Sequence, residues 1–213
     1  MKMKALVLAL ALAALTLGAA GGVQAADSMF VVKLGVADVE PKSDNGTLNG
    51  GALGMLNTDV GNSIRPSITF EYLITQNLGL EVLAAWPFSH DVSISNLHGA
   101  KVATVDVLPP TLSLQYHFIP DKIVSPFIGV GINYTFIYNE ETKGALAGTS
   151  LDVDDSWGFA AHAGIDFNFN EHWLMTIDAR WIQIRGDAKL NGKKLGTVEV
   201  DPMVYGIAVG YRF

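Results

Sequence analysis

Over most of the chain, apolar residues alternate with small or polar ones at a period of two, the spacing of strands with one apolar face. Eight segments carry this pattern. In the first, Phe30, Val32, Leu34 and Val36 stand against Val31, Lys33, Gly35 and Ala37. The second sets Ile68, Phe70, Tyr72 and Ile74 against Thr69, Glu71 and Leu73, and the third sets Leu78, Leu80, Val82, Ala84 and Trp86 against Glu81, Leu83, Ala85 and Pro87. The fourth sets Leu108, Pro110, Leu112, Leu114, Tyr116 and Phe118 against Val107, Pro109, Thr111, Ser113, Gln115 and His117. The fifth runs from Phe127 to Tyr138 and the sixth from Trp157 to Phe169. The seventh runs from Trp173 to Ile182 and the eighth from Met203 to Phe213.

The connections alternate in length. Thr75–Asn77, Ile119–Pro126 and Asn170–His172 are short, whereas Glu40–Arg65, Ser89–Lys101, Asn139–Ser156 and Gly186–Thr197 are long and polar. Short turns on one side and long loops on the other predict an all-β fold, an eight-stranded antiparallel transmembrane β-barrel with periplasmic turns and extracellular loops. A secreted β-sandwich would use the same period with its apolar faces inward. Two features favour the barrel. Aromatics (Phe118, Tyr138, Trp157, Phe169, Trp173, Trp181, Tyr211, Phe213) sit near both ends of the apolar faces, as interface girdles do. The opposite faces are rich in Gly, Ala and charge, as a narrow interior would be.

Composition changes the picture in three places. Lys2 and Lys4, the apolar run Ala5–Ala20 and the small residues Val23–Ala25 predict a signal peptide over residues 1–25, cut after Ala25, with residues 26–213 as the barrel domain. A single membrane anchor is the alternative, and no stop-transfer flank supports it. Loss of two lysines and no acid takes the net charge from −7 to −9, which argues against a nucleic-acid partner. There is no cysteine, so disulfides cannot hold this exported chain.

Five stretches carry a resemblance: "LGLEVLAAWPFSH" (Leu78–His90), "LPPTLSLQYHF" (Leu108–Phe118), "PFIGVGINYT" (Pro126–Thr135), "DSWGFAAHAGIDF" (Asp155–Phe167) and "DPMVYGIAVGYRF" (Asp201–Phe213). The chain resembles the OmpW family of small outer-membrane barrels from about Met29 onward. The first and third long loops do not match closely. The resemblance implies an integral protein of a Gram-negative outer membrane, in contact with its lipid and lipopolysaccharide. It also implies a narrow hydrophobic channel for passive uptake of small apolar molecules, with exit through the wall. The alternating end with Tyr211 and Phe213 resembles the signal that outer-membrane assembly machinery recognises.

The inward faces support a two-level lumen. Glu71, Glu81, His117, His162, Asp166, Asp178, Arg180 and Arg212 fall toward the short turns as an expected ionic layer. Leu83, Pro87, Val107, Pro109, Ile137 and Ile182 fall toward the long loops as an expected apolar lining. The division has exceptions: Leu73 and Phe127 sit low, and Asn133 and Thr135 sit at or above the middle. Opposite charges in so narrow a lumen should pair and fill it. An apolar solute would gain nothing in that layer, so a lateral route remains. Pro109 and Pro110 have no N–H to give a ladder, and with Pro87 on the adjoining strand they mark the expected exit. A strand bend above the lipid zone would also account for the two prolines.

Other chemistry is weaker. His117 and His162, with Asp166 and Glu81, could bind zinc, but lumen polarity explains them equally, so neither a metal nor a cofactor is expected. Ser89 and His90 are adjacent and should point to opposite faces, which weakens an enzymatic reading. His90 and His98 are expected to be solvated. The loop acids Glu140, Glu141, Asp152, Asp154 and Asp155 are either solvated or bridged to lipopolysaccharide by a cation. A structural or receptor-type barrel with a filled lumen, whose loops bind partners, is the alternative to the channel.

Overall fold

The computed structural model describes residues 30–49, 54–94 and 98–213. The expected signal peptide and its cleavage site lie outside the described residues. Fifteen strands are described: β1 (Phe30–Glu40), β2 (Thr47–Asn49), β3 (Met55–Val60), β4 (Ser63–Leu73), β5 (Leu78–Ala85), β6 (Phe88–Ile94), β7 (Ala100–Leu108), β8 (Thr111–His117), β9 (Val124–Thr142), β10 (Leu151–Val153), β11 (Ser156–Asn168), β12 (Trp173–Ile182), β13 (Arg185–Leu190), β14 (Lys193–Glu199) and β15 (Met203–Arg212).

Eight of them close a ring in the order β1, β4, β5, β8, β9, β11, β12, β15, with every neighbouring pair antiparallel. This is the eight-stranded barrel that the alternation predicts. The closing seam pairs Val31 with Arg212 and runs up to Glu40 opposite Met203. Phe213 N–H donates to Phe30 C=O at 2.9 Å, so the seam is paired to its lower edge. Closure gives each of the eight strands a partner on both sides, which matters in hydrocarbon, where an unpaired backbone group costs several kcal/mol. The alternating apolar residues point outward: Leu34, Ile128, Val130, Ile177, Ile207 and Val209 are all exposed. Aromatic contacts gird the two rims. Tyr134 lies 4.6 Å from Phe136 and 4.7 Å from Trp157 above, and Tyr211 lies 5.0 Å from Trp173 and 4.9 Å from Phe213 below.

Two expectations change. The long loops are not plain loops: β6 and β7 form a hairpin, β7 pairs with the upper part of β9, and β10, β13 and β14 make a small second sheet. Leu48, Leu56, Ile94, Val102 and Ala188 cluster beneath this crown, which gives the loops an apolar core of their own. The fourth periodic segment is also not one strand. It breaks at Pro109 and Pro110 into β7 and β8, because neither proline can donate to a ladder.

Candidate functional site

The lower lumen holds a mesh of buried charges. Lys33 Nζ lies 3.2 Å from Glu71 Oε2 and 3.5 Å from Asp166 Oδ1. His117 spans the same two acids, with Nε2 at 2.6 Å from Glu71 and Nδ1 at 3.4 Å from Asp166. Gln115 and Thr176 donate to the same pair of carboxylates. A second group gathers on Arg180. Its Nη2 reaches Glu81 Oε1 at 2.6 Å, and the guanidinium also meets His162 Nδ1 at 3.0 Å and Ser113 Oγ at 3.4 Å. Asp178 stands 3.9 Å from Arg180. Pairing of this kind is what lets charge sit in a low-dielectric interior at all.

Phe127 lies between the two groups. Its ring centroid is 5.6 Å from His117, 5.8 Å from His162 and 5.3 Å beneath Lys33 Nζ. The low apolar residue that broke the sequence pattern is therefore a platform for cation and imidazole. Small residues make the room: a Cβ on Gly129 would fall 1.9 Å from His162 Nε2, and one on Gly79 would fall 2.3 Å from Glu71 Oε1. Arg212 stands apart from this mesh and donates to Asn168 Oδ1 at 3.4 Å, near the periplasmic mouth.

Above the charges the lumen is apolar and packed. Ala37, Val39, Phe88, Ala160, Ile182, Ile184 and Val204 form one buried cluster, with Ala85 and Val200 against it. Phe88 and Val39 are the members that sequence reading missed, since Phe88 follows Pro87 outside the periodic face of the third segment and Val39 lies past the end of the first. Between the two levels lies a cavity of about 30 Å³ lined by Lys33, Leu83, Phe127, Asp178, Arg180 and Val204 among others. That is room for about two waters. The upper level is thus a packed plug and not an open funnel, because an interior of eight strands is just filled by its own side chains. Of the expected lining, Ile182 is in the plug, Leu83 faces the cavity and Val107 pairs with Phe88 across β6 and β7. Ile137 reaches toward Gly186 of β13.

The wall beside the plug is interrupted. On the β9 side the register runs straight through the prolines: Thr111 faces Asn133 in β8, and Leu108 faces Phe136 in β7. On the β5 side it does not. Leu83 faces Thr111, but Phe88 faces Val107, five residues forward against four back. The ladder pairs none of residues 84–87 with residues 108–110. Pro87 C=O instead accepts from Arg65 Nε at 3.2 Å, and Trp86 N–H donates to Pro66 C=O at 2.9 Å on the far side.

The remaining candidates separate. Ser89 is exposed and hydrogen-bonded to Asp106, whereas His90 is buried with Nδ1 2.7 Å from Gly61 C=O. They share no site. His90 is not solvated as expected, because its ring stacks 6.2 Å from Phe88 and lies against Gly61 C=O, with Val105 of β7 opposite it; burial, helped by Arg65, pushes its imidazole below the usual range. Asp154 pairs with Lys189 at 2.5 Å, and Asp155 accepts from Tyr134 Oη at 2.8 Å. Among the described residues, no three His or acidic side chains are arranged to hold a metal ion.

A closed eight-stranded barrel with an apolar outer band, aromatic rims and a charged interior defines a small integral outer-membrane protein. The chain belongs to the OmpW family, which matches residues 26–213. Outer membrane protein W of Salmonella typhimurium is 38% identical, over 97% of this chain and 98% of that one. The dibenzothiophene metabolism operon protein PahQ of Pseudomonas aeruginosa is 27% identical, over 89% of this chain and 90% of its own. The crystal structure of outer membrane protein OprG from Pseudomonas aeruginosa superposes with a TM-score of 0.75 at 32% identity, covering 88% of this chain and 96% of that one. The protein is therefore an integral protein of a Gram-negative outer membrane.

Proposed function

We propose that the barrel is a passive channel for small hydrophobic molecules, which enter the apolar upper lumen from outside and leave sideways into the membrane beside Pro87, Pro109 and Pro110. One observation carries this reading: the wall ladder is interrupted at the level of the apolar plug, directly above a lumen filled with paired charges. An apolar solute that displaces the Phe88 cluster exchanges one set of apolar contacts for another, at roughly 0.8 kcal/mol per buried methylene. To go down it would have to separate buried ion pairs and offer nothing in return. The break beside the plug is then the route of least cost. PahQ adds support, since its name ties that relative to the metabolism of an apolar aromatic compound.

On this reading the protein performs no reaction, and its partners are outer-membrane lipid, lipopolysaccharide and the solute itself. Residues 1–25 direct export, and the rings of Tyr211 and Phe213 at the lower rim are what the assembly machinery engages. The test is direct. Pro109→Val with Pro110→Val restores an N–H at both positions, and the one at 109 faces residues 84–87, so the ladder can extend across the break. Uptake of an alkane into proteoliposomes should fall to the rate of protein-free vesicles. Unchanged uptake overturns the lateral exit.

A further inference from the structure

Three polar side chains sit on the inner face of the wall break, where the neighbouring lumen is apolar. Asn133 and Thr135 are 0% exposed and Thr111 is 1% exposed. Their hydrogen bonds form one directed relay. Thr135 Oγ1 donates to Asn133 Oδ1 at 2.6 Å. Asn133 Nδ2 donates to Pro110 C=O and to Thr111 Oγ1, each at 3.0 Å. Pro110 C=O can only accept, which fixes the amide orientation. Thr111 Oγ1 has thus taken one proton, and its own is directed to Pro109 C=O at 3.2 Å.

That last acceptor matters. Tyr134 N–H donates to Pro110 C=O, so the backbone groups of Pro110 point at β9. By the alternation of an antiparallel ladder, those of Pro109 point the other way, into the break. On the facing strand Trp86 N–H points away, to Pro66, so Ala85 N–H points into the break. Extending the β5–β8 register of Leu83 opposite Thr111 by two residues puts Ala85 opposite Pro109. Ala85 N–H and Pro109 C=O are the ladder bond that this register calls for. That bond is not formed, and the Thr111 hydroxyl is on the Pro109 oxygen.

We infer that Thr111, oriented by Asn133 and Thr135, is the positioning residue of the exit: its hydroxyl satisfies the Pro109 carbonyl that the break leaves without Ala85, which lowers the cost of the open wall relative to the zipped one. The relay also spares the break an orphaned carbonyl beside an apolar lumen, a group that is costly to leave bare. Asn133 acts through Thr111, because its amide supplies the proton that turns the threonine hydroxyl outward. The inference rests on the lateral-exit reading for its consequence in transport, and on the hydrogen bonds around Pro109 for its mechanism.

The test uses Thr111→Val, which keeps the shape and removes the hydroxyl, and Thr111→Ser, which keeps the hydroxyl. In the full protein in lipid bilayers, hydrogen exchange of the Ala85 amide is compared with alkane uptake by proteoliposomes. Thr111→Val should slow Ala85 exchange and lower uptake by about fivefold each, the population shift one net hydrogen bond supplies, with an undiminished melting temperature. Thr111→Ser should restore both. If Thr111→Val does not fold, Asn133→Ala carries the same two measurements. Equal Ala85 exchange in wild type and variant overturns the inference. Absence of uptake by the wild type overturns the channel reading instead, and the exchange result still decides the role of Thr111.

Discussion

The two levels of the lumen solve the same packing problem with opposite materials. Below, Lys33, Glu71, Asp166, Arg180 and Glu81 fill the barrel with paired charge, and His117 bridges two of the acids. Above, Phe88, Ile182, Ile184 and Val204 fill it with hydrocarbon. Both are closed, but they differ in what can open them. Separating buried ions strands each partner in a low dielectric, so the lower plug is a barrier to polar and apolar solutes alike. Hydrocarbon contacts are non-directional and exchangeable, so on the proposed reading the upper plug is the level that another hydrocarbon can replace. The wall copies the difference: beside the ions the β5–β8 ladder is complete, and beside the hydrocarbon it is broken.

The contrast can be broken most severely from below. Arg180→Ala leaves Glu81 buried without its cation and should destabilise the barrel by about 3–5 kcal/mol, read as a loss of heat-resistant folded band on unboiled gels. A melt indistinguishable from wild type would mean that the ionic layer holds nothing together. Phe88→Ala attacks the upper plug. It should cost about 3 kcal/mol and yet raise alkane uptake, because it opens space where a solute must enter. Lower uptake would place the entry route elsewhere.

Smaller effects belong to the crown. His90 is held neutral by burial, with its folded value below the ordinary one of about 6.5. Its contribution is full above that ordinary value and is lost as pH falls through the lower folded value, since the unfolded chain then binds the extra proton. Proteolysis of the crown should therefore accelerate as pH falls below the ordinary imidazole value in wild type, and His90→Gln should flatten that dependence. Smallest of all is Lys101→Ala. It removes an exposed pair with Asp91, and the melting temperature should not move measurably.

Strand number, the seam and the outward faces were legible along the chain because alternation is a local property. Ile128, Val130 and Ile132 face lipid wherever the barrel closes. The two lumen levels were legible for the same reason, once short and long connections gave each strand a direction. The missed features are all between strands. Phe88 lies just past a proline, where the period restarts, so its inward direction came from pairing with β7. The crown's apolar core joins residues as distant as Leu48 and Ala188. Arg212 had the right face for the ionic mesh and the wrong height, which pairing with Val31 at the lower edge decided.

The prolines show the division most clearly. A prolyl nitrogen carries no proton, so the sequence by itself determined that no complete ladder could pass through Pro109 and Pro110. It could not determine which neighbour would keep its register. That was decided in three dimensions, where β9 runs straight past the prolines and β5 slips by one residue. It also could not determine that Thr111, backed by Asn133 from another strand, would take the carbonyl left over. Periodicity is written in each strand separately, whereas register and the partner of a stray carbonyl are set by the strands on either side.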